Sequence, residues 1–422
     1  MNEVDAVKQL RLLDERKYVD EYQVEQWSRL VLDGLVSWSN RNIFSSLGGE
    51  LAIELPVGAP NAGVYYDSLE PLRPKMMIRQ SMLTDIYRDA FTFPLICRRI
   101  ISDTNTVEHL HSNPLFNGKP FLFSTGAPEL DVTLVHAGLR PWCEAMVRVH
   151  QEKKDNVIQC NDLHCRFVMF ELMLVWTFFH ELGHVVQRHI RLRDNPHQTD
   201  GVDTYFELDE LLPAEEMADS ENAKPASQDL RAQARELMAD AEALDLTLKY
   251  LLANGRLKFP MVYLLICSVS CMLQRFYQNY SDNLNITHHR HPHPVIRDEL
   301  SQSFLTNSIH DVLVASNQFP DHHAAAIPVA YLSVRASLFT GLFRSHRVER
   351  RDDPSKLPSY MRLQTEVTDV HGYLEALMPH IEEQVNEVLQ SHLLSDNRLN
   401  DWLQLLRARM IDARTSNAPV SA

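Results

Sequence analysis

Two histidines and a glutamate between Phe178 and His184 form the pattern with the clearest chemical meaning in this sequence. His180 and His184 are four residues apart, so on a helix their imidazoles lie one above the other and can bind the same zinc ion. Glu181 is turned by about 100° from His180, where it can act on a water at that metal. This is the geometry of the HExxH motif, and it predicts one Zn²⁺ per chain.

The residues before this motif are strongly apolar, with eleven hydrophobic side chains from Phe167 to Phe179. Two histidines and a glutamate without partners would be costly to bury in such a segment, so the context favours a metal site. Gly183 lowers helix propensity by about 1 kcal/mol relative to alanine. We therefore expect another segment to pack closely against this glycine.

A zinc hydrolase holds its metal with three protein ligands and leaves one position open, so a third ligand is expected further along the chain. Glu236 and Asp240 lie four residues apart, at the edge of an apolar stripe that includes Leu237 and Ala241. We expect Glu236 to bind the zinc ion and Asp240 to accept a hydrogen bond from the free ring N–H of a ligand histidine. The alternative is that both carboxylates are ordinary solvated residues beside the buried face.

The combination of HELGH at 180–184 with ELMAD at 236–240 resembles the gluzincin metallopeptidases, above all those of the HtpX and CAAX-prenyl-protease type. The resemblance covers residues 178–300. Members of that family are usually embedded in a membrane, and this sequence departs from them because it has no convincing membrane span. A looser likeness connects it with soluble peptidases of the phage-exclusion (Lit) kind.

A third motif, from His291 to Arg297, is similar to the HPxxxxR segment of the same family, in which a histidine and an arginine line the active site. The resemblance implies that His291 or His293, with Arg297, stabilises the oxyanion formed during hydrolysis. The alternative for the histidine cluster at 288–293 is a solvent-exposed loop that binds metals adventitiously. His189 points about 140° away from His184 on a continuous helix, which favours a surface or packing role.

The elements that position these residues are expected to be mainly helical. Glycine contributes only 13 of 422 residues, which favours long helices over many tight turns. The longest pattern runs from an N-cap at Asn161 to Asp194 and predicts a central helix. Alternating apolar residues at 51–55 and 130–134 predict strands of a small sheet, and 130–136 is our candidate edge for a substrate strand.

We divide the chain into an N-terminal helical segment (1–47), a zincin-like metallopeptidase domain (48–300) and a helical C-terminal region (301–422). The predicted fold class is mainly α, of the α+β type, with a zincin-like helical core and a small β-sheet. Residues 195–226 are expected to form an acidic insertion, in which 207–221 gates the cleft or serves as a passive linker.

The net charge of −15 argues against a nucleic acid as the main partner. The apolar stretch Phe259 to Leu273 is shorter than the about 20 residues that a membrane span needs, so we expect a buried helix. An N-terminus without an apolar signal segment and six cysteines without a CxxC pattern favour the cytoplasm.

Taken together, these features predict a zinc-dependent peptidase that acts on intracellular protein or peptide substrates, with Glu181 as general base. Two other functions stay open. A zinc hydrolase of non-peptide amides would use the same ligands, and a non-catalytic zinc-binding protein would need no general base. The presence of Glu181 argues against the second.

Overall fold

The computed structural model describes residues 20–66, 72–102, 130–152, 159–189, 204–207, 226–276, 284, 291–317, 319–344 and 370–416. The helices in these ranges are α1 (Glu21–Ser39), α2 (Gln80–Ser102), α3 (Arg140–Glu152), α4 (Cys160–Val186), α5 (Ala226–Ala253), α6 (Phe259–Arg275), α7 (Pro294–Ala315), α8 (His322–Arg344), α9 (Val370–Leu389) and α10 (Leu399–Ser416). The strands are β1 (Ala52–Glu54), β2 (Ala62–Tyr66), β3 (Lys75–Ile78) and β4 (Thr204–Glu207). The predicted fold class, mainly α with a small β-sheet, is confirmed.

The four strands form one sheet in the order β1-β3-β2-β4. β1 runs parallel to β3, with Ile53 opposite Met76, whereas β2 is antiparallel to both of its neighbours. The strand predicted at 51–55 is therefore present. β4 lies within the stretch that the sequence analysis assigned to an acidic insertion, so that assignment was wrong for these four residues.

The strand predicted at 130–136 is absent. Val132 to Leu134 form a short 3-10 helix, because the Asp131 side chain accepts a hydrogen bond of 2.8 Å from the backbone N–H of Thr133. This local bond gives the backbone a partner that competes with strand pairing. The alternation in this segment reflects a turn that buries Leu130 and Leu134, and it offers no edge for a substrate strand.

Helix α4 lies at the centre of the protein. It packs against α1, α2, α3, α5 and α6 and against strand β2, which surround it on all sides. Nearly every side chain of α4 is consequently buried. A capping box between Gln159 and Asp162 begins the helix, and it ends at Val186, eight residues before the predicted end at Asp194.

The described parts of the N-terminal, central and C-terminal regions contribute to one hydrophobic core. Trp27 of α1, Phe170 of α4, Tyr373 of α9 and Trp402 of α10 all belong to the same cluster of buried residues. Glu171, buried on α4, forms an ion pair with Arg256, which follows α5. The helices that carry the candidate site are thus supported from both ends of the chain.

Helix α6 is buried from Met261 to Gln274, which confirms the expected core helix. Among the described residues, α8 is the one helix that is long and apolar enough to cross a membrane. Its most apolar stretch of 18 residues has a mean hydropathy of 1.4 and is 44% buried within the protein. Core helices of soluble proteins share these properties, so α8 does not by itself establish a span.

Two of the predicted features lie outside the described residues. They are the histidines at 288 and 289 and nearly all of the acidic segment 207–221. Only Glu207 of that segment is described, as the last residue of β4.

Candidate metal centre

The two histidines of the HELGH motif lie side by side on helix α4. They are four positions apart in the sequence, so they lie one helical turn apart, with ring centroids 5.0 Å from each other. His180 is fully buried and His184 is 5% exposed. The indole of Trp176, one turn before His180, stacks on the His180 imidazole at a centroid distance of 5.3 Å.

Helix α5 approaches α4 closely at Gly183. A Cβ atom on this glycine would lie 3.1 Å from the carbonyl oxygen of Ala239 and 3.2 Å from its Cα. Both distances are shorter than an ordinary van der Waals contact, so the close packing predicted at Gly183 is confirmed. This approach brings Glu236 and Asp240 of α5 next to the histidines of α4.

The Glu236 carboxylate faces both imidazoles. Its Oε2 atom lies 3.4 Å from Nε2 of His180, and its Oε1 atom lies 3.5 Å from Nε2 of His184. One ligand atom from each of the three residues falls within 4.8 Å of the others, and all three side chains are buried. His180, His184 and Glu236 therefore form a group that could hold a metal ion.

The second ring nitrogen of His180 is bound to Asp240. Nδ1 of His180 lies 2.9 Å from Oδ1 of Asp240. Arg297 donates two hydrogen bonds of 2.8 Å to the same carboxylate, from Nε and from Nη2. Burial would raise the pKa of Asp240, but the Arg297 guanidinium and His180 hold this pKa below its usual value. A buried, ionised carboxylate thus fixes the orientation of the His180 ring.

Burial and neighbouring charged groups shift the pKa values of the two histidines and of Glu236. Burial disfavours charge on His180, yet hydrogen bonds to Asp240 and Glu236 outweigh it and raise the pKa of His180 to about 9. Burial lowers the pKa of His184 to about 3. Burial would also raise the pKa of Glu236, but His291, His184 and His180 hold it well below its ordinary value. Without a bound cation, His180 is therefore protonated at pH 7, His184 is neutral and Glu236 is ionised.

Glu181 is 1% exposed and follows His180 on α4. Helix geometry turns its side chain away from the line through the two imidazoles, and it is not one of the three residues whose ligand atoms converge. The general-base role expected for Glu181 from the sequence stays a prediction.

The segment from His291 to Arg297 approaches the same site. Nδ1 of His291 lies 3.4 Å from Oε2 of Glu236, and Nη2 of Arg297 lies 3.7 Å from that oxygen. His293 has a different position: it is the N-cap of α7, and its Nδ1 accepts a hydrogen bond from the backbone N–H of Val295. Of the two histidines that the resemblance offered, His291 is therefore the one beside Glu236.

His189 was not predicted to belong to the site. It is fully buried, and its Nδ1 lies 2.7 Å from Nδ1 of His184. The expected angle of 140° assumed a continuous helix, but α4 ends at Val186 and Arg188 has a left-handed backbone with φ 53°. No signal in the sequence marks a left-handed conformation at an arginine, so the turn that brings His189 back was missed.

A second group of polar residues at the end of α4 was also missed. Gln187 donates from Nε2 to the carbonyl of Met238 and to the Glu242 carboxylate, at 2.9 and 3.1 Å. His392, between α9 and α10, lies 3.0 Å from the same carboxylate. These bonds tie the end of the histidine-bearing helix to α5 and to the C-terminal region.

No protein-family model matches the chain, and comparison with the curated proteins and with the solved structures found no match either. The chemistry of the site is therefore argued from its own residues and distances. The resemblance of its motifs to gluzincin peptidases stays a prediction.

Proposed function

We propose that this protein is a zinc-dependent peptidase that hydrolyses peptide bonds of protein substrates. The observation that carries the proposal is the convergence of His180, His184 and Glu236 in a buried group, next to Glu181. Two histidines and a glutamate are the ligands of a well-known class of catalytic zinc sites. Three protein ligands leave the fourth position of a tetrahedral site open for water or substrate.

Two distances within the group, each to a different oxygen of Glu236, are close to the spacing of zinc ligands. Ligand atoms about 2.0–2.1 Å from a zinc ion, at tetrahedral angles, lie about 3.4 Å apart. The two contacts between histidine Nε2 atoms and Glu236 oxygens measure 3.4 and 3.5 Å. Both Nδ1 atoms are engaged elsewhere, by Asp240 and by His189, so the Nε2 atoms are the ones that would bind the metal.

Zinc, when bound, supplies a Lewis acid that polarises a carbonyl and lowers the pKa of a water to about 7. The protein supplies the remaining functions. Glu181 would take a proton from the attacking water and pass it to the leaving amine. His291, beside Glu236, would donate a hydrogen bond to the oxyanion. Asp240, held by Arg297, would keep the proton of His180 on Nδ1 and its Nε2 bare.

The proposal is tested by Glu181→Gln. The amide preserves the shape of the side chain but cannot accept a proton, so we expect the variant to retain its zinc and to lose hydrolysis by a factor of about 10²–10⁴. Cleavage would be followed by mass spectrometry on a peptide library digested from whole-cell protein, and zinc by elemental analysis of the same samples. The control is Glu387→Gln, an exposed glutamate on α9, which should cleave like the wild type.

Two results would contradict the proposal. The first is a Glu181→Gln variant that cleaves peptides at the rate of the wild-type protein. The second is a zinc-loaded wild-type protein that cleaves no peptide in the library. Hydrolysis of small non-peptide amides by such a protein would then assign it to the amidohydrolases, and no hydrolysis at all would leave a zinc-binding protein without catalytic activity.

A further inference from the structure

The chain reverses direction directly after helix α4. Backbone N–H groups of Gln187 and Arg188 bond to the carbonyls of Gly183 and Val185, both at 3.0 Å. Arg188 then adopts φ 53°, and it is one of two non-glycine residues with a positive φ in the described parts of the chain. Such a conformation is unfavourable for a residue that carries a Cβ atom. The reversal brings the next residue, His189, back onto His184.

The contact between these two histidines requires one shared proton. Their Nδ1 atoms are 2.7 Å apart, and both rings are buried. Two bare nitrogens at this distance would repel each other through their lone pairs, and two N–H groups would collide. One Nδ1 must therefore donate a hydrogen bond and the other must accept it.

The rest of the site determines which histidine donates. Nε2 of His184 faces Glu236, and it must be bare to bind a metal ion. A neutral imidazole with a bare Nε2 carries its proton on Nδ1. His184 is then the donor, His189 accepts at Nδ1, and the proton of His189 is on its Nε2.

From this geometry we infer that His189 is a positioning residue for the metal ligand His184. It accepts the Nδ1 proton of His184, which keeps Nε2 bare and fixes the direction of the ring. The inference rests on the proposed zinc site. It gives each ligand histidine its own acceptor: the Asp240 carboxylate for His180 and the His189 imidazole for His184.

The test compares two substitutions of His189 by their affinity for zinc. His189→Phe keeps an aromatic ring but offers no acceptor, so zinc should bind about 10–100-fold more weakly, as when other partners of metal ligands are removed. His189→Gln restores an acceptor through its amide oxygen, and most of the affinity should return. The dissociation constants would be measured by competition with a chromophoric chelator.

The control is His164→Phe, on helix α4. His164 is half-buried and bonds the backbone carbonyl of Leu130 at 3.0 Å, away from the metal group. Its replacement should leave zinc affinity within about twofold of the wild type. A general loss of packing caused by replacing a buried or half-buried histidine in or just after α4 would instead weaken both phenylalanine variants.

If His189→Phe does not fold, the role of His189 can be tested by a measurement on the unmodified protein. In zinc-loaded protein with ¹⁵N-labelled histidine, the His184 ring should carry its proton on Nδ1 and the His189 ring on Nε2. A proton on Nδ1 of His189 would overturn the inference.

Other outcomes separate this inference from the proposed function. Wild-type affinity in His189→Phe, or equal losses in the phenylalanine and glutamine variants, would overturn the role of His189 and leave the zinc site intact. A wild-type protein that binds no zinc would overturn both.

Discussion

Replacing Gly183 with alanine would add one methyl group at the closest approach between α4 and α5. The new Cβ would lie 3.1 and 3.2 Å from backbone atoms of Ala239 and 3.3 Å from Cβ of Glu242. Backbone atoms cannot turn aside as a flexible side chain does, so the two helices must separate. Reaching a carbon contact of about 3.5 Å requires a shift of about 0.3–0.4 Å.

This shift matters because the two helices carry different ligands of the proposed zinc site. His180 and His184 belong to α4 and Glu236 belongs to α5, whereas ligand distances in metal sites are held to within about ±0.2 Å. We therefore expect Gly183→Ala to weaken zinc binding by about 10–100-fold, the range found when support of a ligand is lost. The effect on stability should be smaller, because an overpacking cost of about 1–3 kcal/mol is offset by about 1 kcal/mol of helix propensity.

Zinc affinity would be measured by chelator competition, with Gly372→Ala as the matched control. Gly372 lies on α9, and a Cβ there would meet nothing within 4 Å, so its replacement should leave the affinity unchanged. If Gly183→Ala binds zinc as tightly as the wild type does, the close approach of α4 and α5 does not set the ligand geometry, and the reasoning is wrong.

Two further predictions concern the partners and the protonation of His180. Asp240→Asn should weaken zinc binding by about 10–100-fold, because the amide carries no charge and places an N–H₂ group against the N–H donors of Arg297 and His180. Asp245→Asn, on the same helix, is the control and should have no effect. Equal zinc affinities in the wild type and in both variants would refute the role of Asp240. Because the pKa of His180 is about 9, zinc must displace a proton at neutral pH. The affinity for zinc, measured in chelator-buffered zinc, should therefore rise about tenfold per pH unit from pH 7 and level off near pH 9. An affinity that does not change with pH would contradict the raised pKa of His180.

The pairs of residues within each helix were predictable from the sequence because they depend on helix geometry alone. A spacing of four residues puts His180 above His184 whatever surrounds the helix, and the same rule relates Glu236 to Asp240. The apolar stripe of α5 indicated which face turns toward the core. Gly183 indicated that another segment packs closely against α4, since a glycine inside a helix is destabilising unless close packing requires it. It did not indicate which segment.

The parts that were predicted wrongly depend on local bonds that change the backbone. The side chain of Asp131 forms a turn where alternation indicated a strand, and the left-handed Arg188 reverses the chain where periodicity indicated a longer helix. In both places a few backbone angles override a hydrophobic pattern that is otherwise valid. His189 entered the site as a consequence, and no spacing rule relates it to His184.

Some contacts between distant segments of the chain were also not predicted from the sequence. The distance of Glu242 from Gln187 depends on how α4 packs against α5, and its distance from His392 depends on how α9 and α10 pack against α5. The spacing of residues along the chain determines neither distance. The same is true of Arg297 and Asp240: the sequence placed both near the metal but gave no reason to pair them. Side-chain partners of this kind follow from tertiary structure alone.

The most direct test of the proposed zinc site is the metal content of the purified protein. Wild-type protein and the variants His184→Ala and His164→Ala would be incubated with zinc, dialysed and examined by elemental analysis. We expect about one zinc per chain in the wild type and in His164→Ala, and loss of that zinc in His184→Ala, because two remaining protein ligands hold the metal too weakly. A wild-type protein without zinc, or equal zinc in the wild type and His184→Ala, would contradict the assignment of His180, His184 and Glu236 as a metal site.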